Sequence, residues 1–167
     1  MQSFVFVILL SYSISLFKSH EISTLLKKSQ KELNTAIAAL DQKGKAKNIQ
    51  PNIFIQHRGH STYLAFDAPP ERLIDELLGL ESGCSFGMGG SASIQSIEKN
   101  IFGHDGLMGS QVPISVGHCY HTKSPTIVFM GDASAEEDYV SASIGWASTK
   151  NLPILFVVED NNLSILT

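Results

Sequence analysis

The sequence predicts an α/β protein, a parallel β-sheet flanked by helices, and three features of its C-terminal part carry that reading. The apolar run Pro125–Met130 breaks at Gly131 and Asp132. A helix-like segment follows from about Ser134 to Lys150. A second apolar run, Leu152–Val158, closes on Glu159, Asp160, Asn161 and Asn162. Two β-rich runs joined by one helix form a βαβ unit with parallel strands, which needs a crossover of a dozen or more residues. Both strands then end at the same edge of the sheet. That places Asp132 beside Asn161, although the two are 29 residues apart in sequence. Ligands of open α/β sheets bind at this carboxyl edge. A carboxylate and an amide oxygen there suit a hard divalent cation and a phosphate-bearing ligand.

The chain has 167 residues, enough for one domain with a sizeable core. Only 17% of them are charged, against 43% hydrophobic, so part of the surface is expected to meet a partner. The net charge of −4, with no basic block outside Lys27–Lys47, argues against nucleic acid. Cys84 and Cys119 are isolated, with neither zinc-ligand spacing nor the density of a disulfide framework, which fits a reducing compartment.

The first 18 residues stand apart. Phe4–Leu10 continues through Tyr12, Ile14, Leu16 and Phe17. Its length suits the apolar core of a signal peptide, but nothing basic precedes it and no small-x-small cleavage site follows. Ser11, Ser13 and Ser15 interrupt it, and it is too short for a stable membrane span. It is read either as a signal peptide or as a buried or mis-started N-terminal segment, leaving residues 19–167 as the domain.

In residues 20–43, Ile22, Leu25, Leu26, Leu33, Ile37 and Leu40 recur at helical spacing. Gly44 ends that helix beside a basic, solvated run from Lys43 to Lys47. After a turn at Pro51, Ile53–Gln56 reads as a short strand that delivers His57, Arg58, Gly59 and His60. These are an anion contact or simply surface groups, with Arg58 foremost because its guanidinium fork matches phosphate oxygens.

Pro69–Leu78 begins with prolines and ends near Gly79, as a helix does. A glycine-dense stretch follows, from Gly83 to Ser91 and on to Gly103, Gly106 and Gly109. It lacks dinucleotide spacing and is read as a loop, functional or not. Gly109–Pro113 opens a further helix with Ser110 as its N-cap. Ile114, Val116, Gly117 and Tyr120 are expected on its inner face. His118 and His121 are expected to face solvent, and the helix N-terminus presents free N–H groups. In the final helix Ser134 is expected as N-cap, with Val140, Ile144, Ala147, Tyr139 and Trp146 on the buried side. Glu136, Glu137 and Asp138 favour its positive end.

Four segments in this order resemble the alpha subunits of the thiamine-diphosphate-dependent 2-oxo acid dehydrogenases, the group acting on pyruvate, branched-chain 2-oxo acids and acetoin. They are His57–His60, Gly83–Ser91, Gly106–Pro113, and Gly131-Asp132 through Asn161. The resemblance implies a thiamine-diphosphate-binding fold, incomplete in this chain because alpha subunits of that group are considerably longer. It implies that Asp132, Asn161 and the backbone carbonyl of Leu163 hold Mg²⁺ bridging the diphosphate. Ala133 and Ser134 would line that diphosphate, with Arg58 and His57 on its phosphate oxygens. Gly106 and Met108 would meet the aminopyrimidine, Met108 as the wedge that bends the cofactor. It implies oxidative decarboxylation of a 2-oxo acid, pyruvate favoured, with acyl transfer to lipoyl. Its partners would be a beta subunit, without which the chain is inactive, and a lipoyl-bearing acyltransferase. The compartment would be the cytoplasm, or the mitochondrial matrix in a eukaryote. Ala133 stands where that group has glycine, so a non-catalytic remnant or interaction module of the same fold is the alternative. A transketolase-like enzyme shares the metal motif but fits the segments from His57 to Pro113 less well.

Overall fold

The computed structural model describes residues 6–11, 50–57, 59–103 and 105–160. The expected helix at 20–43, its end at Gly44 and the basic run beyond it lie outside the described residues. Five strands form one parallel sheet: β1 (Phe6–Ser11), β2 (Asn52–Phe54), β3 (Ile101–Phe102), β4 (Thr126–Gly131) and β5 (Ile154–Asp160). Their spatial order is β1-β5-β4-β2-β3. The helices are α1 (His60–Ala65), α2 (Pro70–Leu77), α3 (Gln111–Thr122), α4 (Asp132–Ala135) and α5 (Asp138–Thr149), with a 3₁₀ turn at Ile97–Lys99. The expected parallel sheet flanked by helices is therefore present, and the apolar N-terminal stretch contributes β1, paired with β5 from Phe6 opposite Leu155 to Ser11 opposite Asp160. No helix among the described residues is long and apolar enough to cross a membrane.

Strand side chains alternate between two buried faces, which is why β4 and β5 read as continuous apolar runs. Ile53, Ile55, Ile127, Phe129, Leu155 and Val157 point to one face, where they meet Tyr63, Leu73 and Ile94. Phe54, Val128, Met130, Ile154, Phe156 and Val158 point to the other, against Val112, Val116, Cys119, Val140 and Ala147. Fully burying each large apolar side chain contributes about 1.5–3 kcal/mol, so these two layers hold the strand ends in register. That register pairs Thr126 with Ile154 and continues to Gly131 with Glu159.

Several local expectations are corrected. The inner face of α3 is Gln111, Val112, Ser115, Val116 and Cys119, while Ile114 and Tyr120 are exposed. The amide of Gln111 donates to the Phe129 carbonyl at 2.8 Å, and this anchor sets the rotation of the helix. His121 does face solvent, but His118 packs against the rings of Phe54 and Phe102, at 5.6 and 5.3 Å between centroids.

The final helix is two helices, broken where Glu137 is extended (φ −69°, ψ 134°). Ser134 lies within the short first one, whose N-cap is Gly131, and the N-cap of α5 is Glu137. Val140 and Ala147 are buried as expected, whereas Trp146 is exposed and stacks edge-on against Tyr120. Ser110 occupies the N-cap position of α3, but its side chain makes no capping bond. Its hydroxyl donates instead to Asp105 Oδ1.

Candidate functional site

The carboxyl ends of β2, β4 and β5 meet at one place. Gly131 is the register partner of Glu159, so the next residues are Asp132, the first beyond β4, and Asp160, the last of β5, one position short of Asn161. Asp132 lies in the first turn of α4, which starts directly from β4. Its carboxylate is half-buried and has no hydrogen-bond or ion-pair partner among the described residues. Ala133 is exposed and Ser134 is buried. A Cβ placed on Gly131 would stand 3.4 Å from Gln56 Oε1 and 4.0 Å from Ser134 Oγ, so two polar side-chain atoms flank the glycine. Behind it, Gln56 Nε2 donates to Glu159 Oε2. Burial pushes the Glu159 carboxyl up from the ordinary glutamate range, and the Gln56 bond partly restores it.

A second segment is held against this edge. Asp105 Oδ1 accepts the Leu107 N–H at 3.0 Å as well as the Ser110 hydroxyl, which shapes the turn through Gly106 (φ +98°). Gly109 (φ +80°) then presses onto α4 and α5. A Cβ there would lie 2.9 Å from Val140 Cγ2 and 3.3 Å from the Ser134 carbonyl oxygen. Tyr139 donates its hydroxyl to the Met108 carbonyl. Met108 and Gly109 are therefore held against α4 and α5. The Gln111 side chain, 2% exposed, gives its amide nitrogen to Phe129, while its Oε1 has no partner among the described residues.

The glycine stretch after α2 wraps around a side chain of the protein itself. Glu76, 1% exposed, accepts four backbone N–H groups. Ser85 and Gly87 bond to Oε2 at 2.6 and 2.9 Å, and Gly89 and Gly90 to Oε1 at 2.7 and 2.9 Å. A Cβ on Gly83 would come within 2.5 Å of Glu76 Oε2, which is why glycine stands there. Burial pushes this carboxyl upward, but the four N–H bonds outweigh it and hold the group below the usual glutamate range. Beyond the cradle, Ser91 Oγ and His60 Nε2 are hydrogen-bonded at 2.8 Å.

Of the expected site residues, Asp132, Ala133 and Ser134 lie together in α4, Met108 is bonded to Tyr139 of α5, Gly106 lies in the turn before α3, and His57 is exposed just beyond Gln56. Arg58, Asn161 and Leu163 lie outside the described residues. Sequence reading missed Gln56, Glu76, Asp105 and Tyr139. A signal existed only for Glu76: it follows Leu73 by three, so the two share a helix face, and a run of glycines comes next.

Among the described residues no group of three or more His, Cys, Asp and Glu side chains is arranged to hold a metal ion. One carboxylate without a partner among the described residues nonetheless fits Mg²⁺, which is usually bound through one or two carboxylates together with a ligand's phosphates.

An open parallel sheet with an unpaired carboxylate among the described residues and glycine-bounded turns at its strand ends defines an α/β protein whose candidate site lies on the carboxyl edge. The chain belongs to the dehydrogenase E1 component family, whose model matches residues 12–167. It is 29% identical over 143 residues to a pyruvate dehydrogenase E1 component subunit alpha of Rickettsia prowazekii, an alignment covering 83% of this chain and 42% of that protein. It is 33% identical over 121 residues to the protein of the same name from Zymomonas mobilis, covering 70% and 34%. To the alpha subunit of an acetoin:2,6-dichlorophenolindophenol oxidoreductase from Cupriavidus necator it is 31% identical over 110 residues, covering 63% and 33%. The chain thus spans less than half the length of these relatives.

Proposed function

We propose that the chain serves as the alpha subunit of a 2-oxo acid dehydrogenase E1 component, with pyruvate the favoured substrate. In this reading its carboxyl edge binds thiamine diphosphate through Mg²⁺. The observation that carries the reading is the placement of Asp132. Its carboxylate is unpaired among the described residues, its strand is matched to the one ending at Asp160, and α4, which it begins, meets Gly109 through the Ser134 carbonyl.

Asp132, with Asn161 and the Leu163 carbonyl, would hold the ion. Ala133 and Ser134 would line the diphosphate, His57 and Arg58 would contact its oxygens, and Gly106 and Met108 would meet the aminopyrimidine. When bound, the cofactor would supply the electron sink for decarboxylation of a 2-oxo acid. The contribution of this chain is to bind and orient. A beta subunit completes the site, and a lipoyl group on an acyltransferase accepts the acyl product. Both partners follow from the family rather than from any surface of this chain.

Calorimetric titration of thiamine diphosphate, with and without Mg²⁺ and with and without a beta subunit, tests the reading. Mg²⁺-dependent binding that Asp132→Ala abolishes is the expected result. Absence of binding in both the lone chain and the mixture would overturn it.

A further inference from the structure

We infer that Glu76 is a positioning residue for His60: its carboxylate fills the cradle of N–H groups in the glycine loop, this fixes Ser91, and Ser91 holds the imidazole at the start of α1. The geometry stands alone, and only its functional consequence rests on the proposed cofactor site.

A carboxylate taken out of water needs partners for both oxygens, or its burial is strongly unfavourable. Glu76 has two N–H donors on each oxygen, at 2.6 to 2.9 Å, the short distances of charge-assisted bonds. The loop conformation and the buried charge therefore require each other. With those N–H groups occupied, the loop does not use them on a phosphate. What it offers is rigidity. Ser85 Oγ donates to the Ser93 carbonyl at 2.8 Å and closes the loop on itself.

The cradle ends at Gly90, and the next residue is Ser91. Its hydroxyl meets His60 Nε2 at 2.8 Å, with donor and acceptor set by the imidazole tautomer. His60 opens α1, three residues after His57 at the end of the chain leaving β2. A side chain that touches neither Asp132 nor Gly106 thereby sets an imidazole at the start of α1.

The test uses the full chain with nitrogen-15 labelling and no cofactor, so its outcome is independent of the cofactor titration. The readouts are amide exchange at Ser85, Gly87, Gly89 and Gly90 and the imidazole nitrogen resonances of His60. Glu76→Gln should speed exchange of those amides by about 100-fold. It should also move the His60 Nε2 resonance to where Ser91→Ala places it, leaving the amides of β4 and β5 unchanged. Glu76→Asp, which keeps the charge on a shorter arm, should recover part of both effects. A His60 resonance that stays put while the loop amides open would reduce Glu76 to a structural role and overturn the inference. If Glu76→Gln does not fold, the wild type and Ser91→Ala decide. Loop amides protected in both, with His60 shifted only in Ser91→Ala, support the inference; unprotected loop amides in the wild type, or a His60 indifferent to Ser91→Ala, refute it.

Discussion

Gln56 and Glu159, 103 residues apart in sequence, are joined side chain to side chain behind the end of β4, the amide Nε2 donating to the carboxylate Oε2. The bond links the chain leaving β2, which delivers His57, to the chain leaving β5, which delivers Asp160. It also supplies a donor to a carboxylate that burial already disfavours in its charged form. Gln56→Leu is expected to cost about 1–3 kcal/mol, the usual consequence of leaving a buried acceptor without its donor. Glu159→Gln keeps an oxygen for Gln56 and should cost less. Urea unfolding of the two variants against the wild type gives the comparison, and equal costs would show that the bond is not what matters.

The turn before α3 separates two effects that glycine can have. Gly106 and Gly109 both have positive φ, at +98° and +80°. A Cβ on Gly106 would meet nothing within 4 Å, whereas one on Gly109 would lie 2.9 Å from Val140 Cγ2. Gly106→Ala therefore carries backbone strain alone, about 1–3 kcal/mol. Gly109→Ala adds a collision with the core side of α5 and should lose more stability. Thermal unfolding of the pair is the measurement, and a Gly106→Ala protein less stable than Gly109→Ala contradicts the placement.

The sheet and the edge at Asp132 were legible in the sequence because both depend on long apolar runs whose ends are marked by Gly131 and by Glu159–Asn162. The amphipathic start of α2 was legible from its prolines. The rotation of α3 was not. Its buried face begins with a polar residue, Gln111, whose role exists only because the Phe129 carbonyl lies opposite it. Counting apolar positions alone therefore turned Ile114 and Tyr120 inward. The break at Glu136 and Glu137 was hidden because acidic residues are equally at home inside a first helical turn. The glycine stretch reads only as a loop, functional or not, since nothing local says that it wraps an anion or that the anion is Glu76, nine to fourteen residues before the amides that hold it. β3, only two residues long, carries no periodicity to detect.

Asp132 makes no bond to any described residue, so its removal should leave the unliganded fold nearly unchanged. Asp132→Ala is expected to fall within about 0.5 kcal/mol of the wild type without Mg²⁺, as surface substitutions usually do. Adding Mg²⁺ with thiamine diphosphate should raise the midpoint of the wild type only, because a ligand that binds the folded state alone stabilises it. Thermal midpoints with and without the pair, and again after chelation, measure this. Equal shifts in wild type and variant would remove Asp132 from the site.

Acid should expose the role of Glu76. Its carboxyl is held below the ordinary glutamate range in the folded protein, the four N–H bonds outweighing burial. A depressed folded pKa means that the unfolded chain binds the proton more readily. The contribution of Glu76 to stability is therefore fully present above the ordinary carboxylate pKa and is lost as pH falls through the depressed folded value. Glu76→Gln has no charge to lose and turns an NH₂ toward N–H donors. It should cost about 1–3 kcal/mol at neutral pH, and the gap to the wild type should narrow as the solution is acidified below the ordinary glutamate range. Urea midpoints of both proteins across a pH series give the difference curve. A gap that stays constant, or widens toward acid, would mean that the loop amides are not holding a carboxylate.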